Sequence, residues 1–477
     1  MKYWDWEFLD TAVTADMYSV SDYGPLFGPV TDFKLYRDDE LDLILETTSS
    51  GNSTSNAVER LAGEVYQVDA EVQLESRTGH AVAVGVTPLE NVKTWGARTK
   101  QAVTTERSSI DSLKWTYHDA LEPSYVIEWV GNMASFIWPD SDERIKDGEE
   151  RRVLKSPKRE ITLSAPINSG QHSRSCVHLV VEGIEVFVGE SKAKPEYVAK
   201  PGFILYMGTP DEETRAKIRN CLSFCLGTYL LYLGDTKFDS EWRPVGFIAK
   251  SGHALVKEAP DLNGYLPSPL SLKRENAISP ELLERMVSSL YKIYDAYDLR
   301  NTFWSYWHAM AAPLHMRAVH FGAAIESLQS KFLKKTPGIH RLIVEDTECW
   351  SKLHDQISGR ITEAALSDET KALLINKAKT LNFAPQSIVM ERFFATLKLR
   401  IGKLEKSAWN NRNHAAHGGR TTDSNVTKMI RENNVLLIMM NRILLALGGG
   451  ADHYYDYYTL GRPTRVIIQS IPDDKVL

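Results

Sequence analysis

One compact run in this sequence gathers side chains able to do chemistry: Trp409-Asn410-Asn411-Arg412-Asn413-His414-Ala415-Ala416-His417-Gly418-Gly419-Arg420. It sets a guanidinium, a carboxamide and two imidazoles within six residues and closes on two glycines. Histidine titrates near neutrality, so it can both take and give a proton. Arginine stays charged and presents a fork of donors that fits phosphate oxygens. Together they suit cleavage of an RNA phosphodiester, in which the 2′-hydroxyl is the internal nucleophile. His417 would deprotonate that hydroxyl or protonate the leaving 5′ oxygen, and Arg412 would stabilise charge building on the phosphoryl group. Such a reaction calls for no metal and no cofactor, which fits a sequence without a carboxylate cluster beside the run. Positions five apart lie about 140° apart around an ideal helix. Arg412 must therefore reach round, or the backbone must be irregular near the glycines, or a facing subunit must complete the site.

Blander readings of the same residues exist. Arg412, Asn413 and His417 could satisfy backbone carbonyls at a helix end, and His414 with His417 has the spacing of a metal pair but no nearby cysteine or clustered acid to complete it. The rest of the chain has no phosphate-binding loop, no dinucleotide fingerprint, no His-Glu-x-x-His and no Gly-x-Ser-x-Gly.

Charge separates this region from the remainder. The 477 residues carry a formal net charge of −6, which argues against a polycation wrapped on nucleic acid. Between positions 390 and 420 the sign reverses, with Arg392, Lys398, Arg400, Lys403, Lys406, Arg412 and Arg420 against only Glu391 and Glu405, a net of +5. Lys398, Arg400, Lys403, Lys406 and Arg420 are accordingly candidate RNA-binding residues, with a solvated helix face as the alternative.

The elements that must position these residues change character along the chain. With 43% apolar and 25% charged residues it has the composition of a globular protein, and its length suggests about three domains. Residues 1–200 read as strands. Positions 68–75 alternate between apolar and polar, 125–130 with 133–138 and 177–181 with 184–188 resemble hairpins, and further runs fall at 41–47, 81–86, 160–164 and 203–207. That pattern predicts an antiparallel β-sandwich or barrel-like domain. Trp4, Trp6, Trp95, Trp115, Trp129 and Trp138 lie in this half, either as its core or as an aromatic binding platform.

Residues 201–277 read as a small α/β connector. It holds a helix over 210–234 opened by Thr209 and Pro210, a strand at 245–249, and a proline-bearing linker over 258–276. Residues 278–450 read as an all-α bundle, with helices near 280–300, 303–334 (interrupted at Pro313), 339–358, 368–381, 386–410 and 423–447. Val389, Phe393, Leu397, Ile401 and Leu404 would form a buried stripe on one of them. A tail over 451–477 holds a strand candidate at 465–470. The whole is an α+β multidomain chain. Its four cysteines (Cys176, Cys221, Cys225 and Cys349) are expected to be buried and reduced. No signal peptide is expected from its opening residues, which lack a basic head followed by an apolar run, and its most apolar stretch, 221–233, is shorter than the roughly 20 residues of a bilayer span. A cytoplasmic protein without a membrane segment is expected.

Arg412-Asn413-His414-Ala415-Ala416-His417-Gly418 resembles the signature of HEPN-superfamily ribonucleases: arginine, four to six residues, histidine, with a polar residue often directly after the arginine. Its setting late in a helical bundle, after one long helix and before the last, is similar too, as is the run Ala323-Ala324-Ile325-Glu326-Ser327-Leu328. A β-rich N-terminal half joined to such a bundle resembles ApeA-like bacterial anti-phage proteins. The resemblance implies a metal-independent endoribonuclease that cuts RNA, tRNA among its targets, and arrests the infected cell. It also implies two protomers pairing their motifs across a homodimer. Arg412 and His417 match the catalytic pair, Asn413 the polar position, and Glu326 would orient Arg412 from a neighbouring helix. The N-terminal half would sense a phage-derived trigger. The alternative is a non-catalytic ligand- or RNA-binding protein built on a degenerate scaffold of this kind.

Overall fold

The computed structural model describes residues 4–7, 9, 17–55, 70–96, 101–133, 136–146, 150–165, 172–193, 195, 198, 200–252, 268–270, 277–336, 341–416 and 423–473. The chain divides into two units, Met1–Lys292 and Ile293–Leu477. The first is antiparallel and β-rich and the second is helical, an α+β organisation.

Alternating burial builds the first unit. In β4 (Glu71–Ser76) Val72 and Leu74 are buried while their neighbours face water, and β5 (Gly79–Val84) repeats the pattern through Ala81 and Ala83. One sheet has four strands, in the order β2 (Phe27–Arg37), β3 (Leu43–Ser55), β7 (Gln101–Ile110), β6 (Thr87–Gly96). The other has thirteen: β1 (Met17–Asp22), β4, β5, β8 (Ser112–Tyr117), β17 (Pro244–Lys250), β16 (Leu231–Phe238), β9 (Tyr125–Gly131), β15 (Gly202–Tyr206), β14 (Ile184–Glu190), β13 (His172–Val181), β10 (Asp140–Lys146), β11 (Glu150–Lys155) and β12 (Glu160–Ala165). Leu35, Leu45 and Ile110 of the small sheet share a core with Leu74, Trp115 and Phe247 of the large one, so the two sheets face each other there. A second core is built mainly on the large sheet. Leu163 of β12 packs in one cluster with Leu231 and Leu233 of β16, seven places away in strand order, so the sheet coils back on itself. Trp4 and Trp6 plug this second core. Of the six tryptophans in this half, only Trp95 is exposed; the other five are core.

The hairpin at 177–188 forms as read. Val181 pairs with Ile184 across Glu182 and Gly183, both at positive φ, the two-residue turn whose twist matches its strands. The hairpin at 125–138 does not form. Val126, Ile127, Trp129 and Val130 are all buried, so β9 is a central strand and takes β15 and β16 as neighbours. Asn132, at φ 64°, turns the chain away, and the amide of Met133 donates to the Lys200 carbonyl.

The stretch 201–277 is not a separate connector, since β15, β16 and β17 are strands of the thirteen-stranded sheet. Its helix is also shorter than 210–234. α1 (Glu212–Leu226) is capped by Asp211, which accepts from the Thr214 amide at 2.7 Å, and ends at Gly227 in the left-handed region. The apolar residues after Gly227 then enter β16. Most of the linker at 258–276 lies outside the described residues.

In the second unit, Pro313 separates α3 (Leu299–Ala311) from α4 (Leu314–Lys335), after α2 (Pro280–Ile293) has closed the first unit. α5 (Thr347–Glu363) and α6 (Asp368–Lys379) follow. The long helix expected at 386–410 is two: α7 (Gln386–Thr396) and α8 (Lys403–Ala416). Lys398 adopts φ 57° between them, so the stripe running from Val389 to Leu404 is broken after Phe393. α9 (Asp423–Gly448) is the last helix, and the tail forms β18 (His453–Tyr455) paired with β19 (Thr464–Val466). α4 packs against α3, α7, α8 and α9 and is the axis of this unit. Cys176, Cys221 and Cys225 are buried, and burial raises their thiol pKa values, but Cys349 on α5 is exposed. Among the described residues no helix is long and apolar enough to cross a membrane.

Candidate functional site

α8 owes its position to a stripe that polar residues help to compose. Glu405, Ala408, Trp409 and Arg412 recur at helical spacing and are all buried. Glu405 starts the helix. Its carboxylate reaches back to the Gly402 amide, a cap made from the third helical position, and accepts from Arg442 of α9 at 2.7 Å. Arg412 ends the stripe, on the face that meets α4.

The Arg412 side chain is 9% exposed and is held from several sides. Its guanidinium carbon stands 3.6 Å from the centroid of the Trp409 ring. Nη1 donates to the Trp409 carbonyl at 2.6 Å, and Nη2 donates to Oε1 of Glu326, which lies on α4 and is 42% exposed. One turn before Glu326, Gly322 makes room: a Cβ there would stand 2.8 Å from Cδ of Arg412. Next to it Asn411 turns outward and donates to Glu432 of α9 at 2.8 Å. The result is a guanidinium of fixed plane whose charge is balanced by one half-exposed carboxylate. Among the described residues, two of its five N–H groups make the hydrogen bonds given above. A guanidinium held in this way can receive an oxyanion in exchange for its carboxylate without first having to be ordered.

The structure thus brings together two of the residues read from the sequence, Arg412 and Glu326. Asn413 belongs to α8, but its side chain is outside the description, and His417 and Arg420 lie outside the described residues. Among the described residues, the basic candidates Lys398, Arg400, Lys403 and Lys406 do not gather round Arg412. Lys403 sits nine positions earlier on α8, about half a turn round the helix and roughly 13 Å along it. It is exposed, 3.9 Å from Asp473. Lys406, about 120° round from Arg412, pairs with Glu391 at 2.8 Å. Lys398 and Arg400 are exposed in the segment before α8. Lys398 and Arg400 thus precede α8, and Lys403 and Lys406 lie in its first turns, on other faces than the arginine.

Two contributors were missed as such. Trp409 was one residue of the motif without a part to play, and Gly322 was not singled out at all. The available signals were an aromatic residue three before the arginine, which places its ring under the guanidinium, and a glycine inside a helix where no turn needs one. Comparison with models of known families, with curated proteins and with solved structures finds no match to this chain.

Proposed function

We propose that this protein is a metal-independent endoribonuclease whose reaction centre is Arg412 and His417. The observation that supports it is the seating of Arg412, nearly buried against Trp409 and Gly322 with a half-exposed glutamate as its counter-ion. In this reading a phosphate of RNA takes the place of, or shares the guanidinium with, Glu326. The 2′-hydroxyl gives its proton to a base and attacks phosphorus, the bond to the 5′ oxygen breaks, and that oxygen gains a proton. The products are a 2′,3′-cyclic phosphate and a 5′-hydroxyl end. His417 carries the proton in one of these transfers, Arg412 holds the charge on the phosphoryl oxygens, and Asn413 orients the substrate. Lys398, Arg400, Lys403 and Lys406 would track the RNA backbone at a distance from the scissile bond. The bundle is HEPN-like in this reading and pairs with a second copy. The biological setting it fits is abortive anti-phage defence in the cytoplasm, with tRNA among the targets and a trigger sensed by the β-rich unit.

The test is incubation of the purified chain with total tRNA in EDTA, followed by analysis of the new ends. Cyclic phosphate ends are expected, with Arg412→Ala and His417→Ala each lowering the rate by about 10²–10³-fold. A His417→Ala protein that cleaves at the wild-type rate removes the assignment.

A further inference from the structure

At one end of the thirteen-stranded sheet, three stretches of chain wall in a cleft of about 600 Å³. They are the β4–β5 turn, the chain leaving β8, and the β16–β17 turn, all from neighbouring strands of that sheet. Each wall is fixed by its own hydrogen bonds. In the β4–β5 turn the Ser76 hydroxyl accepts from the amides of Thr78 and Gly79 at 3.1 and 3.0 Å. The amide of His118, just beyond β8, donates to the Thr78 carbonyl at 3.0 Å. In the β16–β17 turn Asp239 is buried and accepts from the amides of Glu241 and Arg243, both at 2.9 Å, and from Nε of Arg243 at 2.8 Å. Tyr117, the last residue of β8, stands edge-on to Trp115 with ring centroids 6.1 Å apart.

Two opposite charges in this cleft are left over. Arg243 is already matched by Asp239 and Glu241. Arg77 and Asp119 also line the cleft, both are exposed, and among the described residues neither side chain has a hydrogen-bond or ion-pair partner. Single exposed charges are ordinary on a surface. Here one of each sign shares a pre-formed cleft with Tyr117, Pro244, Val245 and Leu121, the last of them 56% exposed. A concave site of this volume, apolar in part and carrying a few convergent polar groups, has the make-up of a small-molecule site.

An occupant has to answer three features at once. The Arg77 guanidinium takes an oxyanion, and its fork of donors fits a phosphate. The Asp119 carboxylate only accepts, so it takes hydroxyls or an ammonium. The aromatic and apolar lining takes a flat, weakly polar body. Inorganic phosphate meets the first feature alone. A free amino acid meets both charges but leaves much of the volume unfilled. A nucleotide meets all three, and one unmatched guanidinium calls for one phosphate. We propose that this cleft binds a free ribonucleoside monophosphate, with its phosphate on Arg77, its ribose diol on Asp119 and its base against Tyr117. The site lies wholly within the β-rich unit and is independent of the Arg412 site.

Isothermal titration calorimetry of the full chain tests it. The probes are the common ribonucleoside 5′-monophosphates, their 2′,3′-dideoxy counterparts, inorganic phosphate and free phenylalanine. At least one ribonucleotide should bind with Kd below about 100 μM, and phosphate and phenylalanine at least tenfold more weakly. Arg77→Ala should weaken that ribonucleotide about tenfold or more, as loss of a charge-assisted bond does. Asp119→Ala should weaken it similarly yet leave the dideoxy form no weaker than in wild type, a split that a structural role would not give. Both residues are exposed, so circular dichroism and Tm should stay as in wild type. Arg412→Ala should leave binding unchanged, so this result and that of the cleavage assay are read apart. The proposal is overturned if no ribonucleotide binds below about 1 mM, or if phosphate or phenylalanine binds as tightly. Binding that survives Arg77→Ala, or disappears in Arg412→Ala, lies elsewhere and overturns it too.

Discussion

Two arginines of the helical unit each hold a glutamate, and they are held in opposite ways. Arg442 and Glu405 are both completely enclosed, 2.7 Å apart. Arg442 also donates to the carbonyls of Arg400 and Ile467, and Glu405 accepts from the amides of Gly402 and Ile471. Burial still strains both ionised forms, pushing the Glu405 carboxyl above its ordinary range and the Arg442 guanidinium below its own. The bonds of this pair join α8, the segment before it, α9 and the tail. Arg412 has a buried stem and a carboxylate partner open to water. Exchange of Glu326 for another anion strands no charge in the interior. An enclosed pair is architecture, whereas a pair with one exposed member leaves its cation free to serve a ligand.

The comparison can be broken at several strengths. The largest effect is expected from Arg442→Met, which leaves Glu405 alone in the interior and should lower the unfolding free energy by about 3–5 kcal/mol in urea titrations. Adding Glu405→Gln to that variant should recover part of the loss, and a single variant as stable as wild type would refute the enclosed-pair reading. Gly322→Ala should act on the other pair without unfolding the chain. The gain in helix propensity, about 1 kcal/mol, offsets the shift forced on Arg412, so stability hardly moves while RNA cleavage falls about tenfold through misplacement. Unchanged cleavage would mean that the seating of Arg412 does not matter. Smaller than the loss in Arg442→Met is the one expected from Glu326→Gln, because only one member of this pair is buried and the glutamine keeps an acceptor beside Arg412. A loss as large as that of Arg442→Met would erase the distinction.

Much of the architecture was legible before the structure. The alternation in 68–75 and the run at 81–86 led to β4 and β5, Glu182-Gly183 gave a hairpin, and Pro313 gave the break between α3 and α4. These are local signals, set by backbone sterics within a few residues. The failures share one cause, a choice settled by distant neighbours. The run at 133–138 is apolar enough for a strand, but β15 and β16 occupy both edges of β9. The apolar stretch from 221 to 233 reads as one helix until Gly227, where a Cβ would meet the backbone of Ser268 at 2.8 Å. The stripe that seats α8 was missed because two of its four members, Glu405 and Arg412, are charged and pass for surface residues unless their partners on α9 and α4 are known.

Residue chemistry by itself determined which groups are present: an arginine and a histidine of the types that phosphodiester cleavage uses, and a basic stretch within an acidic chain. Tertiary structure alone decided what each of them faces. It turned Arg412 onto Trp409 and Glu326, set Lys403 and Lys406 in the first turns of α8, and left Leu353 of α5 and Leu373 and Leu374 of α6 exposed. The physical reason is that ionisation and helix propensity are properties of a residue and its near neighbours, whereas burial and charge pairing are made between segments far apart in the chain. Gly322 and Arg412, ninety positions apart, show it most directly: neither residue explains the other until they touch.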